Sequence, residues 1–432
     1  SKATRWGALV IVAFTMMAAY YVNDVVAPLK TMLETDLAWS STDFGFFTGG
    51  YSFLNVFFLM LIWGGLILDR FGIRFTGKLA TILMVGGTAL EYYAMTGLAG
   101  ADATLFGINE IFGYKTGVFV AFAGYSIFGV GAEVAGITVS KIIAKWFKGK
   151  ELATAMGVQV ALARIGSQAG YAVAIPLARA FGISTPVLLG LVLLLGGMIA
   201  FFVFAVMDKK LDKQMEAAAI AAGTEDEEEK FSFKDVKNIL VNPGFWLIAL
   251  LCVLFYSCVF PFQKFASELM IIKYGINENV AGTFAGLPAL GALILTPVFG
   301  GFIDKRGKSA SIMLLGSAML ICVHFIYAIP DINYWLVAIV LMIILGIAFS
   351  LVPSAMWPAV AKIFPVSQLG TAYALIFFIQ NIGLWGIPTL IGWVLDAYCI
   401  SGKKPDGTNM YDYTVPMCIF TGIACLSLIV AL

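Results

Sequence analysis

Apolar runs of about twenty residues follow one another from end to end of this 432-residue chain, with short polar breaks between them. A run of that length crosses the ~30 Å hydrocarbon core of a bilayer as a helix. Twelve runs can be drawn. Spans 1 to 6 cover residues 6–27, 44–68, 77–98, 117–145, 152–181 and 186–207. A polar stretch follows at 208–242. Spans 7 to 12 cover 245–272, 280–303, 309–329, 334–364, 369–395 and 414 to the end of the chain. The pattern predicts an all-α, multi-pass membrane protein: a six-helix bundle over 1–207, a linker over 208–242 and a second six-helix bundle over 243–432. The last run stops with the chain, and the chain opens on Ser1 without Met, which reads as trimming at both ends.

Composition agrees with the pattern. Hydrophobic residues make up 60% of the chain and charged ones 12%, against about 25% charged in a soluble domain. Mean hydropathy is +0.92. The first run is too long for a removable signal peptide and lacks a cleavage site. Nothing resembles a nucleic-acid motif, and no cofactor is implied. The net charge of +1 says little, because the bases are segregated by loop. The N-terminus, the loops after even spans and the linker hold 19 Lys and Arg, and the other loops hold six: Lys30, Lys115, Arg179, Lys273, Lys403 and Lys404. By the positive-inside rule the first side, with both termini, is cytoplasmic. The block Glu225–Glu229 in the linker reads as a solvated connector. The six cysteines form no CxxC pair, lie mostly in apolar runs and read as small buried hydrophobes rather than metal ligands.

Only two bases remain inside the membrane, Arg164 in span 5 and Lys264 in span 7. Arg164 is the sole charge in residues 152–176. An ionised group at such depth persists only beside a partner or an aqueous cavity. Glu133 of span 4 is the candidate partner. It lies 12 residues before Lys145, and Arg164 lies 13 residues after Glu151. At 1.5 Å per residue both sit roughly 18–20 Å from the cytoplasmic surface. The short loop between the spans predicts that they stand side by side as a pair.

The chain also repeats itself. Gly65, Asp69, Arg70, Gly72 and Arg74 after span 2 are echoed by Gly300, Asp304, Lys305, Arg306 and Gly307 after span 8, an offset of about 235 residues. Two such copies mean two similar halves. The glycines are expected to let helices approach closely, and the aspartates to pair with bases or cap a neighbouring helix.

This G-x-x-x-D-R-x-G-x-R element resembles the loop motif of the major facilitator superfamily, in which the paired loops latch helices together while the cavity faces outward. Further segments are similar to a dipeptide-carrier branch of that superfamily, lysosomal in animals and with prokaryotic relatives. They are Trp146 to Leu152, Ala163 to Ser167, Val259 to Phe262, Trp357–Pro358, Gln368 to Tyr373 and Gln380 to Gly383. The resemblance covers nearly the whole chain and suggests a prokaryotic member. It implies facilitated diffusion of dipeptides, with Glu133 and Arg164 at the positions of that branch's binding-site Glu and Arg. The membrane would be the cell membrane in a prokaryote and the lysosomal membrane in an animal. The animal sorting signal is not visible in this N-terminus.

Other polar residues in the spans are candidates for the same site. Lys264 either reaches a substrate carboxylate across the cavity or snorkels to the outer interface. Tyr21 and Asp24, with Tyr20 and Asn23, close span 1 on the outer side as a substrate contact, a gate or a wet helix end. Gln159, Gln263 and Asn381, like Gln168 and Gln380, either line the cavity or bond between helices. Trp357 before Pro358 either gates or packs. Glu91, beside Tyr92 and Tyr93, reads as interfacial. His324 is the one histidine; the resemblance places span 9 peripherally, away from the cavity.

The expected function is a secondary transporter of dipeptides or similar small zwitterions, with Glu133 on the ammonium and Arg164 on a carboxylate or carbonyl. The transport unit reads as a monomer, with room for an accessory membrane subunit. Span 1 lacks the E-x-x-E-R element of proton-coupled peptide transporters, so proton coupling has no support. One rival is a carrier of small organic anions clamped by Arg164 and Lys264, although spans 2 and 8 lack the central Arg of nitrate porters. Another is a non-transporting sensor or interaction subunit. No nucleophile–base pair or metal cluster suggests an enzyme.

Overall fold

The computed structural model describes residues 2–100, 103–147, 151–222 and 233–432. The acidic block Glu225–Glu229 and the bases Lys148, Lys150 and Lys230 lie outside the described residues. Span 1 is α1 (Lys2–Val25), continued through a 3₁₀ turn at Ala27–Leu29 into α2 (Lys30–Leu37). Span 2 is broken. It consists of α3 (Ser41–Phe57) and the start of α4 (Met60–Thr96), bent by 58° where Leu59 takes a φ of +54°. The rest of α4 is span 3, separated from span 2 by Gly72, whose φ of +74° and ψ of 174° interrupt the helix. A non-glycine residue would meet Cβ strain there.

A short hairpin of β1 (Glu110–Ile111) and β2 (Tyr114–Lys115) leads into α5 (Thr116–Trp146), span 4. Spans 5 and 6 are α6 (Leu152–Phe181) and α7 (Thr185–Ala222). The last of these runs fifteen residues past the expected end at 207, because Lys, Leu, Gln, Met, Glu and Ala there are strong helix formers. Then come α8 (Phe233–Val241) and α9 (Pro243–Tyr274), which is span 7. The latter is capped by the Asn242 side chain and started by Pro243. Span 8 is α10 (Glu278–Ala285) followed by α11 (Leu287–Arg306). Spans 9 to 11 are α12 (Ser309–Ala328), α13 (Trp335–Ile363) and α14 (Val366–Tyr398). A hairpin of β3 (Ile400–Lys403) and β4 (Asn409–Tyr411) precedes span 12, α15 (Thr414–Ala431). Among the described residues nine segments are long and apolar enough to cross a membrane alone. The bent α3–α4 pair supplies two more passes around Gly72, and α6, which holds Arg164, supplies the twelfth.

Each half closes on itself. In the first, α4 packs on α5, α1 on α6 and α7, and α3 on α5. In the second, α11 packs on α13, α12 on α13 and α15, and α9 on α14 and α15. The halves meet where α3 crosses α14 and where α6 meets α10 and α11. Small residues make the first crossing. A Cβ on Gly45 would lie 3.0 Å from the Gly392 Cα, and one on Gly49 would lie 2.7 Å from the Trp385 carbonyl oxygen. The motif glycines Gly65 and Gly300 behave otherwise: nothing lies within 4 Å of where their Cβ would be, so the close approach expected of them is absent here. The adjacent Gly64 has that role, against Val134.

The Gly45 contact is tight on the backbone of both halves. Gly45→Val is expected to cost about 1–3 kcal/mol by overpacking. It should lower the melting temperature of the purified protein, whereas Gly65→Val should leave it within a degree or so of wild type.

Candidate functional site

A cavity of about 1120 Å³ lies between the two halves. Its polar lining comes from both: Tyr20 and Asn23 of α1, Tyr51 of α3, Glu133 of α5, and Gln159 and Arg164 of α6 face Tyr256 and Lys264 of α9, Trp357 of α13, and Tyr373 and Gln380 of α14. Asp69, Ser140, Val236 and Gly370 form the mouth, on the face that carries α8. At the opposite end the halves are in contact.

Glu133 and Arg164 both face this cavity but are not bonded to each other, which corrects the expected ion pair. Glu133 accepts a 3.0 Å hydrogen bond from the Tyr51 hydroxyl. The Arg164 guanidinium lies 5.7 Å from the Tyr20 ring centre and 4.9 Å from that of Phe349, within cation–π range. It makes no hydrogen bond or ion pair to another described residue. The reason is the packing. Gly166 and Gly170 bring α6 against the Met17 and Tyr21 carbonyls of α1, so α5 and α6 are joined in sequence without being close partners in space.

Lys264 neither snorkels nor stays free for a ligand. Its ammonium donates to the Asn23 carbonyl at 2.6 Å and to the Tyr125 hydroxyl at 3.3 Å, and pairs with Asp24 at 3.3 Å. Asp24 also accepts from Asn23 and Ser167. Together they roof the cavity and join α9 of one half to α1, α5 and α6 of the other. Four residues expected to contact substrate point elsewhere. Tyr21 is buried and donates to the Pro186 carbonyl. Asp24 is taken by Lys264. Gln263 donates to the Ala285 carbonyl at 3.4 Å, and Asn381 to the Phe377 carbonyl of its own helix. Gln159, Gln380 and Trp357 do line the cavity, and the Trp357 indole donates to the Tyr256 hydroxyl at 3.2 Å.

The sealed end rests on residues that the sequence reading counted only as loop charges or passed over. Lys30 is buried and bonds both Glu34 and Glu268, each at 2.6 Å. Lys404 of the β3–β4 hairpin approaches the same carboxylates at 3.6 and 3.8 Å. The Tyr413 hydroxyl donates to Glu268 at 2.5 Å. Burial and that carboxylate hold the Tyr413 phenol well above its ordinary range, so it remains a donor. Beside this network Asp396 of α14 accepts from the backbone N–H groups of Ser41 and Thr42 at 3.3 and 2.6 Å, and from the Thr42 and Tyr411 hydroxyls. A carboxylate of one half thus caps the first turn of a helix of the other. Arg179 of α6 bonds Glu278 and Asn279 at the start of α10. A signal was present in the sequence: Lys30 and Glu34, and likewise Lys264 and Glu268, are four residues apart and share a helix face.

The loop motifs hold their own halves. Asp69 pairs with Lys141 at 3.2 Å, and Arg74 bonds Asp212 at 2.7 Å and nears Asp208 at 3.6 Å, on α7. Arg70 lies over the Phe71 ring. In the second copy Asp304 and Lys305 fall in the last turn of α11, Arg306 lies over the Phe302 ring, and Gly307 takes a φ of +77° to end the helix. The first motif does not bridge the halves while the cavity opens at this face. Glu91 is buried at the α4–α5 contact, where Gly87 and Gly124 let the helices close, and is not interfacial as expected. His324 packs against Phe262 and Phe420 and bonds the Cys258 carbonyl, away from the cavity. Cys322, Cys418 and Cys425 are exposed on their spans rather than buried.

Comparisons with known proteins agree with this architecture. The crystal structure of a point mutant of the nucleoside transporter NupG superposes with a TM-score of 0.73 over 99% of this chain and 98% of its own, at 12% identity. The lysosomal dipeptide transporter MFSD1 of Homo sapiens is 29% identical over 403 residues, covering 90% of this chain and 79% of the human protein. That of Mus musculus is 28% identical over 407 residues, 91% and 81% of the two chains. The Gallus gallus protein of the same name is 33% identical over 287 residues, 63% and 62%. All three are vertebrate proteins, so the expected prokaryotic membership finds no support in them. The Major Facilitator Superfamily profile matches residues 9–387, and with twelve helical passes in two bundles the chain belongs to that superfamily of membrane transporters.

Proposed function

We propose that this transporter carries dipeptides or similarly small zwitterions by alternating access, as facilitated diffusion. The observation that carries the reading is the pair of unbonded opposite charges in one cavity. Glu133, oriented by Tyr51, offers its second oxygen to an ammonium. Arg164, held between rings rather than by an acid, offers its donors to a carboxylate or a carbonyl. Had they bonded each other, a ligand would have had to break that pair first. The names of the curated relatives point the same way. The anion-clamp alternative loses its second cation, since Lys264 is occupied by Asp24 and the Asn23 carbonyl.

By the segregation of Lys and Arg, the open mouth faces the cytoplasm, as do both termini. The sealed end is then the outer gate, closed by Lys30, Glu268 and Asp396. Outward opening requires those contacts to part and the cytoplasmic mouth to close around Asp69 and the start of α14. Substrate would enter and leave one chain, so a monomer suffices as the transport unit.

Two measurements test this reading. Dipeptides should raise the melting temperature of the purified protein and be carried into vesicles. Glu133→Gln and Arg164→Ala should each weaken binding by about 1.5–3 kcal/mol, roughly 10- to 100-fold. Stabilisation by dicarboxylates and not by dipeptides would overturn the assignment. Lys30→Met removes the nearer cation from Glu34 and Glu268 and leaves two buried carboxylates with Lys404 alone, a loss of up to about 3–5 kcal/mol from the sealed state. Spin labels on Asp36 and Lys403 should then move apart, while Lys2→Met, at an exposed ion pair, should not change that distance.

A further inference from the structure

The segment between spans 3 and 4 folds as two consecutive two-residue turns, each with the same sequence character. Leu105 and Ile108 exchange both backbone hydrogen bonds at 3.0 Å around Phe106–Gly107, and Ile111 pairs with Tyr114 around Phe112–Gly113. All four central residues have positive φ: 53° and 80° in the first turn, 52° and 82° in the second. Turns of this kind favour Asn, Asp or Gly at the first central position, because a side chain with positive φ crowds the backbone. Here phenylalanine occupies it twice. Each ring is nearly all exposed, 95% for Phe106 and 89% for Phe112. Backbone strain and a largely unburied residue are therefore combined at both turns.

The second turn is held firmly in place. Tyr114 stacks on Phe46 of α3 with ring centres 3.9 Å apart, Phe46 stacks on Phe122 of α5, and Lys115 donates to the Ala38 carbonyl. From this base the Phe112 ring reaches Phe119 in the first turn of span 4, 5.9 Å away. The ring contacts then continue down the spans through the buried Phe122 and through Phe53 to Phe57, which is half exposed on α3. Phe122 in this series is buried and Phe119 and Phe53 are part-exposed, so the ring contacts tie the exposed Phe112 to the packed ends of α3 and α5 rather than leaving it an isolated loop residue.

We propose that the second turn is an interfacial anchor, with Phe112 bedded at the boundary between headgroups and acyl chains of the leaflet opposite the termini. An aromatic ring is well placed at that depth, and there it would gain the burial that the protein does not provide. The anchor would fix the outer ends of α3 and α5 relative to the bilayer. These are the helices that carry Tyr51 and Glu133.

The test uses the full chain in phosphatidylcholine nanodiscs, with or without bromine high on the acyl chains. Tryptophan is introduced as Phe112→Trp or Asn109→Trp, and the emission added over wild type is recorded. For Phe112→Trp that emission should be lost in brominated lipid and resist aqueous iodide. For Asn109→Trp, at an exposed position between the turns, the reverse should hold. Phe112→Trp emission quenched by iodide as strongly as that of Asn109→Trp would overturn the proposal. So would emission shielded from both quenchers, which would mean that protein, such as a second copy or another subunit, covers the turn.

Discussion

A buried ammonium shared by two carboxylates from opposite halves joins the halves of this molecule at its sealed end. Lys30 is fully removed from solvent and lies 2.6 Å from both Glu34 of its own half and Glu268 of the other. Each half brings one base and one acid, Lys30 with Glu34 and Lys404 with Glu268, and their apposition joins the two pairs into one buried network. The position matters as much as the pairing. The network lies at the end of the bundle, under the β3–β4 hairpin, where water can enter as soon as the halves part. The same four charges at mid-membrane would have to be pulled apart in a medium that solvates none of them.

The helix pair α3–α14 turns that contact into a geometry. At the sealed end Asp396 caps the first turn of α3, and glycines bring the two backbones together. The 58° bend after Phe57 then carries the chain away from that line, and Asp69, at the far end of the same span, pairs with Lys141 of its own half. One broken span can therefore close tightly at one face while leaving room for a mouth at the other. A straight helix packed as closely on α14 would have sealed both.

The apolar pattern showed twelve passes because span length follows directly from bilayer thickness. The loop repeat showed two related halves because a glycine that ends a helix and an aspartate beside bases leave a local signature. That Glu133 and Arg164 lie at matching positions along their helices was also legible, being a count of residues at fixed rise, and both line one cavity. Their bonding was not, since it depends on which helices lie side by side, and α1 rather than α5 is the close partner of α6. Lys264, Asp24, Gln263 and Tyr21 were visible as polar residues in apolar runs, but their orientation is a rotation about the helix axis. An error of a third of a turn moves a side chain from cavity to interface. The network at the sealed end was missed for a related reason: Lys30 and Lys404 look like ordinary loop bases until Glu268 comes to them from span 7.

What remains accessible in the cavity decides between classes of ligand. Of the charged side chains deep in its lining, Lys264 is satisfied by Asp24, the Asn23 carbonyl and Tyr125, and serves as structure. Glu133 uses one oxygen for Tyr51, and among the described residues Arg164 meets the faces of two rings and no acid. One acid and one base are left, with no net charge between them. A dicarboxylate would meet one cation and be repelled by the carboxylate, and a diamine would meet the converse. A ligand with an ammonium at one end and a carboxylate or carbonyl at the other satisfies both groups. In the proposed alternating-access cycle it would also replace the water each loses when the cavity closes, leaving no uncompensated charge.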